Sequence, residues 1–370
     1  MAVSPPKILI YRLGSLGDTV MALPAFHKIR QAYPDADITL LTNSPVANKA
    51  APLASVLGQG YFFNRVLAYP VGTRSPAVLL GLVKQIRELK IDTVVYLAGV
   101  RTLKTLAKTK LTVFRDWLFF KAAGVKNTIG FPSVLPDFEL SVDEATGDLE
   151  WEAKRLARRV KLLGDIALDD DSYWDLKFSP EEIKTAGEQL APLAAGLPFI
   201  AASTGTKSHV NDWEEHNWLN LLHQLSPLLP GWQLVMVGGP DEFDLAGRCM
   251  EAWGGKGLNL CGQTSPRVSG IILKRAKVFI GHDSGPMHLA AAGGTPCAAV
   301  FSARHFPRQW YPRGNFNKII YHKTDCAGCG LDVCVVQQKK CILSVTADEV
   351  IGAVMEILGR EKSNNTNIQK

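Results

Sequence analysis

Short, almost wholly apolar runs alternate along this chain with longer stretches in which apolar residues recur every three or four positions. Lys7–Tyr11 is the first such run and ends in a glycine-containing turn. Residues 18–32 then show helical spacing through Val20, Leu23, Phe26, Ile29 and Ala32. Further strand-like runs lie at 37–41, Arg65–Tyr69, 92–97 and 127–130, with helical stretches between most of them. This alternation predicts a parallel sheet covered by helices on both faces. An acidic, polar run at 139–148 leads into a basic helix at 150–163. Between 169 and 198, clusters of Asp, Pro and Gly interrupt the pattern around a short helix, and the domain boundary is placed there. A second alternation follows, with strands at 199–202, 233–237, 277–280 and Cys297–Phe301, a last helix at 346–358, and a polar tail at 361–370 expected to be disordered. Two doubly wound, nucleotide-type domains result. Such folds bind ligands at the carboxyl ends of their strands, so the cleft between the two is the default site.

Composition fits that division. A chain of 370 residues, 46% hydrophobic and 21% charged, is too long for one ordinary core and too apolar for disorder. Forty-one Lys and Arg against 35 Asp and Glu leave a net charge of +6. That excess does not indicate a nucleic-acid binder, but it allows acidic substrates or an anionic membrane surface. No apolar run reaches the roughly 18 residues of a membrane span, and residues 1–6 lack a secretory pattern. Seven cysteines is an odd number, and Cys249, Cys261 and Cys297 lie in apolar surroundings, which suits reduced thiols in a cytoplasmic protein.

Four segments carry candidate chemistry, each where a strand feeds a turn. Arg12-Leu13-Gly14-Ser15-Leu16-Gly17-Asp18, followed by Leu23-Pro24-Ala25, has the wrong glycine spacing for a dinucleotide fingerprint. Its glycines allow a ligand close to the backbone, and Asp18 falls at a helix N-terminus, where the competing role is an N-cap. Gly281-His282-Asp283-Ser284-Gly285-Pro286-Met287-His288 opens another helix, whose free amides and dipole would face an anion. The structural alternative is an Asp–Ser cap with His288 in the core. Ser203-Thr204-Gly205-Thr206-Lys207 places hydroxyls and a lysine after a strand, as a diphosphate would need. Gly238-Gly239-Pro240-Asp241-Glu242 offers carboxylates to the hydroxyls of a ribose.

Together, these segments resemble glycosyltransferase family 9, the ADP-heptose:lipopolysaccharide heptosyltransferases, over nearly the whole chain from Lys7 to about Leu358, with Trp213 and Trp218 adding support. The resemblance implies an α/β GT-B architecture of two Rossmann-like domains facing a central cleft. An acceptor-binding domain would span 1–175 and a nucleotide-sugar domain 198–345, with a helix at 346–360 packing back toward the first domain. It further implies inverting, metal-independent transfer without a cofactor. Asp18 would be the general base, and donor contacts would fall on Ser203, Thr204, Glu242, Thr264, Asp283, Ser284, Gly285 and His288. Arg12, Ser15 and Gly17 would lie on the acceptor or phosphate side. The implied partners are a nucleotide-diphosphate sugar, ADP-heptose above all, and a glycolipid on the cytoplasmic face of the inner membrane. The chain departs from the family pattern at Asn211, where members often carry a lysine, and Lys207 or another base nearby is the cation expected in its place.

Two clusters lie outside that scheme. Arg101, Lys104, Lys108, Lys110, Arg115, Lys121 and Lys126 surround one acid, Asp116, with Phe114, Trp117, Phe119 and Phe120 interleaved. Such a stretch suits an anionic membrane or a phosphorylated glycolipid; the alternative is a helix with a buried aromatic face and a solvated basic one. Cys326, Cys329, Cys334 and Cys341 lie close enough in sequence for a structural zinc, although the last two are not paired as CxxC. A catalytically silent binding protein of the same fold and a nicotinamide dehydrogenase are the competing functions. Asp18 and Asp283, which a silent relative could lose, argue against the first, and the glycine spacing argues against the second.

Overall fold

A computed structural model of the chain describes residues 5–44, 51–98, 106–138 and 145–366. It divides into two units, Met1–Lys177 and Phe178–Lys370, each built on its own parallel sheet.

The first sheet comprises β1 (Lys7–Tyr11), β2 (Asp37–Asn43), β3 (Arg65–Tyr69), β4 (Thr93–Tyr96) and β5 (Asn127–Ile129), in the order β3-β2-β1-β4-β5. Leu9 pairs with Thr39 on one side and Val94 on the other. Ile8, Leu9 and Ile10 are fully buried, which explains why β1 is a continuous apolar run rather than an alternating one. The helix expected at 18–32 is two helices, Leu16–Met21 and Leu23–Ala32. Pro24 is the cause: it lacks an amide donor, and its ring would collide with the carbonyl one turn earlier.

The second sheet comprises β6 (Phe199–Ser203), β7 (Gln233–Met236), β8 (Gly257–Asn259), β9 (Phe279–His282), β10 (Cys297–Phe301) and β11 (Lys318–Tyr321), in the order β11-β10-β9-β6-β7-β8. Counted from the first strand of each sheet, the first runs 3-2-1-4-5 and the second 3-2-1-4-5-6, the order of Rossmann folds. The edge strands β8 and β11, three and four residues long and only partly buried, escape the sequence pattern. Gly257 has φ +139, and a Cβ there would lie 1.8 Å from the Leu234 carbonyl oxygen, so β8 pairs with β7 only because that residue is glycine.

The second unit begins earlier than the sequence pattern suggests. Helix Pro180–Leu190 packs on helix Pro266–Arg275, joined by the Arg267–Glu182 pair at 2.9 Å. The last helix, Ala347–Thr366, buries Val350, Val354, Ile357 and Leu358 in the same core as Leu221, Leu222 and Leu225. That apolar face belongs to the second unit's own core. The helix also runs through 361–366, expected to be disordered: elongation costs little once earlier turns are packed. Residues 367–370, and Arg101 and Lys104 of the basic segment, lie outside the described residues.

Candidate functional site

In each sheet the strand order reverses once, between β1 and β4 and between β6 and β9. The carboxyl ends at such points are where open α/β sheets hold ligands. The predicted residues collect there.

In the first unit the chain leaves β1 at Tyr11 and turns at Gly14, whose φ of +147 favours glycine. Asp18 Oδ2 accepts from the Ser15 amide at 2.8 Å and from the Ser15 hydroxyl at 2.8 Å, so Ser15 holds the N-cap position and Asp18, expected there, stands three residues on and bonds back to it. Ser15 is half-buried, and Gly17 and Asp18 are buried. Arg12 departs from expectation. It is 1% exposed and donates to the carbonyls of Leu97 and Asp18, both at 2.7 Å, with Glu152 at 3.6 Å. Its charge faces inward and fixes the Asp18 loop to the end of β4.

Helix Glu152–Arg159 closes the same strand ends. Glu152 holds Arg155 through two bonds of 2.9 Å. Arg159 donates to the carbonyls of Tyr96 (2.8 Å), Ala98 (2.7 Å) and Gly130 (2.7 Å). Gly130 must be glycine, since a Cβ would stand 2.9 Å from the Tyr96 oxygen. Sequence reasoning missed three tyrosines here, although Tyr11, Tyr69 and Tyr96 each end a strand. Tyr11 and Tyr69 share a hydroxyl hydrogen bond of 2.9 Å, and Tyr96 donates to Asp116 at 2.8 Å. Burial first, then Tyr69 and Asp116 for Tyr11 and Asp116 for Tyr96, push both phenols up and keep them protonated.

In the second unit Ser203 ends β6 opposite Gly281 of β9, which brings Ser203 and Thr204 beside the loop of Asp283 and Ser284. The hydroxyls of Ser203, Thr204 and Ser284 are buried and have no hydrogen-bond partner within the described residues. Ser284 occupies the N-cap position of helix Gly285–Ala292, yet its side chain makes no cap bond. The cap reading of this loop is therefore not realised, and the first-turn amides remain available to an anion.

Glu242 sits across the same edge. A Cβ at Gly205 or at Gly238 would fall 2.1 Å from one of its carboxylate oxygens, so both glycines are needed for it to lie there. Gly262 donates to the Gly238 carbonyl at 2.9 Å and draws in the loop of Thr264, whose hydroxyl bonds Ser269 at 2.7 Å. His288 is buried, with Nε2 3.8 Å from Asp283. Lys207 is exposed on the β6 loop.

Asn211 is buried and accepts from the Ser302 hydroxyl, which makes it a fastening point rather than a ligand contact. His282, unassigned from sequence, accepts the Trp213 amide at 3.2 Å and meets the Trp218 ring edge-on. Burial pushes its imidazole down to about 4, so it is neutral. Arg304 is another residue missed: it bonds Ser208 of the β6 loop and Asp332. Of the four clustered thiols, Cys334 and Cys341 are buried while Cys329 is exposed. Among the described residues no group of three or more His, Cys, Asp and Glu is placed to hold a metal.

Two parallel sheets of Rossmann order, each with polar residues gathered at its reversal point, define an α/β protein of two Rossmann-type units. The chain belongs to glycosyltransferase family 9: the family model described as "Glycosyltransferase family 9 (heptosyltransferase)" matches residues 119–340, more than half its length. It is thus a glycosyltransferase by family. Lipopolysaccharide heptosyltransferase 3 of Escherichia coli K12 is 24% identical over 371 residues, covering 92% of this chain and 95% of that protein. Lipooligosaccharide heptosyltransferase 2 of Campylobacter jejuni is 22% identical, covering 95% and 98%. Among solved structures, a family 9 glycosyl transferase from Veillonella parvula superposes with a TM-score of 0.67 at 17% identity, covering 97% of this chain and 99% of that one. The E. coli ADP-heptose heptosyltransferase II gives 0.63 at 18% identity, covering 96% and 99%. The fold is that of the GT-B heptosyltransferases.

Proposed function

We propose that this protein is an inverting, metal-independent transferase that moves heptose from ADP-heptose to a hydroxyl of a lipopolysaccharide core or related glycolipid. The observation that supports this most is the trio of buried, unpartnered hydroxyls on Ser203, Thr204 and Ser284 beside an uncapped helix N-terminus. Buried polar groups without partners are rare in folded proteins, and a diphosphate would satisfy all three. Asp283, Gly285 and His288 complete that cradle, Lys207 supplies a cation, and Glu242 and Thr264 take the nucleoside side. Asp18 removes the acceptor proton as the acceptor oxygen bonds to the anomeric carbon and the bond to the diphosphate breaks. ADP leaves as a stable anion, so a single base suffices and no metal is needed. Ser15 and Gly17 shape the acceptor side. A lipid-anchored acceptor implies a cytoplasmic enzyme working at the inner-membrane surface.

The test is turnover of ADP-heptose with a heptose-deficient core acceptor in EDTA, alongside thermal shifts with ADP-, GDP- and UDP-sugars. Turnover in EDTA and stabilisation chiefly by the ADP-sugar are expected. Activity that EDTA removes and Mg²⁺ restores would overturn the metal-free mechanism. Binding without turnover would leave the silent nucleotide-sugar binder.

A further inference from the structure

Helix Leu106–Ala122 turns its side chains in two opposite directions. Inward go Thr109, Asp116 and Phe120, all buried. Asp116, the one acid in the helix, is occupied there by the Tyr96 hydroxyl at 2.8 Å and by Arg115 at 2.7 Å. Outward go Leu111, Phe114, Trp117 and Leu118, with relative exposures of 68%, 54%, 36% and 47%. Their spacing sets them in one stripe, and the Phe114 and Trp117 rings stack at 6.0 Å. Lys108, Lys110, Arg115 and Lys121 are exposed around the stripe, with Lys121 Nζ 5.9 Å from the Trp117 ring centre.

Four large apolar side chains in one exposed stripe mark a contact surface. The charge around them selects the partner. In a symmetric contact with a second copy, this helix would set lysines against lysines. An anionic lipid surface takes the aromatic stripe at its interface and the cations at its headgroups. No helix among the described residues is long and apolar enough to cross a membrane, so this contact lies in the membrane plane. We propose that the outward face of helix Leu106–Ala122 docks the protein on an anionic lipid bilayer.

The test uses the full chain and vesicles of phosphatidylglycerol with phosphatidylcholine, or of phosphatidylcholine alone. Wild type should co-sediment with the anionic vesicles, more weakly at high salt, and hardly at all with neutral ones. Phe114→Ser with Leu118→Ser should cut binding about tenfold or more, and Lys108→Glu with Lys110→Glu should abolish the preference for anionic lipid. Trp117 is the one exposed tryptophan among the described residues. Brominated anionic lipid should therefore quench wild-type fluorescence and quench the conservative Trp117→Phe variant less, a readout that needs no disruptive change. Unchanged binding by the Phe114/Leu118 variant, or equal quenching in wild type and Trp117→Phe, would overturn the proposal. So would a lipid-free dimer that the Phe114/Leu118 changes convert to monomer, which would assign the stripe to a second copy. No sugar is present in these assays, so their failure leaves the transfer reading standing.

Discussion

The Asp18 carboxylate receives two hydrogen bonds from Ser15 on one oxygen, an arrangement that fixes its direction while stabilising its charge. Capping and base catalysis are thus compatible in one residue, and a substitution that keeps the shape separates them. Asp18→Asn is expected to keep the fold and the affinity for ADP-heptose while kcat falls about 10²–10⁴-fold, read by steady-state kinetics beside calorimetry. A near-wild-type kcat would leave Asp18 as a cap. The second-unit hydroxyls give the converse signature. Ser203 and Ser284 bond nothing in the described protein, so Ser203→Ala with Ser284→Ala should leave unfolding free energy within roughly 0.5 kcal/mol. Nucleotide binding should weaken by about 1 kcal/mol for each hydroxyl lost. A large stability loss with unchanged binding would make both hydroxyls structural. At this scale the sequence shows which chemistry each residue carries, because strand–turn–helix spacing marks the loops. It does not show direction: Arg12 is legible as a cation near the site, yet its fork is directed to the Leu97 and Asp18 carbonyls.

Helix Glu152–Arg159 reads as basic, and its inward face places Arg155 and Arg159 against the strand ends with Glu152 as their buried acid. Removing that acid strands Arg12 and Arg155. Glu152→Gln should therefore cost about 3–5 kcal/mol, seen as a lowered Tm and denaturant midpoint with the buried arginines otherwise intact. The end of β9 gives a pH signature. Burial holds the His282 imidazole at about 4, and burial also lowers His27 from its ordinary 6.5. Below pH 6.5 the unfolded chain takes up protons that the folded one refuses, so stability falls with acidification, before most carboxylates titrate. Between pH 6.5 and 4.5 His282 alone should remove about 2–3 kcal/mol. Urea melts across that window should show the decline; a flat profile would mean that His282 is protonated in the folded protein.

Each of the two units carries its own sheet, and the core of the second already includes the terminal helix. Residues 178–370 alone are therefore expected to unfold cooperatively and to bind ADP, measured by circular dichroism and calorimetry. An unfolded fragment would mean that this core depends on residues 1–177. The alternation of apolar runs with 3.6-residue periodicity determined the parallel α/β class, most strands, and the loops where Asp18, Ser203 and Ser284 stand, because local spacing suffices to specify an element and its ends. The fully buried β1 and the exposed edges β3 and β5 could be read this way, while the edges β8 and β11 could not. Only the tertiary structure decided which faces of the charged helices point inward. Arg159 is buried because three carbonyls from distant strand ends converge on it, and Asp116 because the Tyr96 hydroxyl awaits it. Partners that arrive from elsewhere in the chain decide whether a charge is buried, and they leave Phe114, Trp117 and Leu118 facing out.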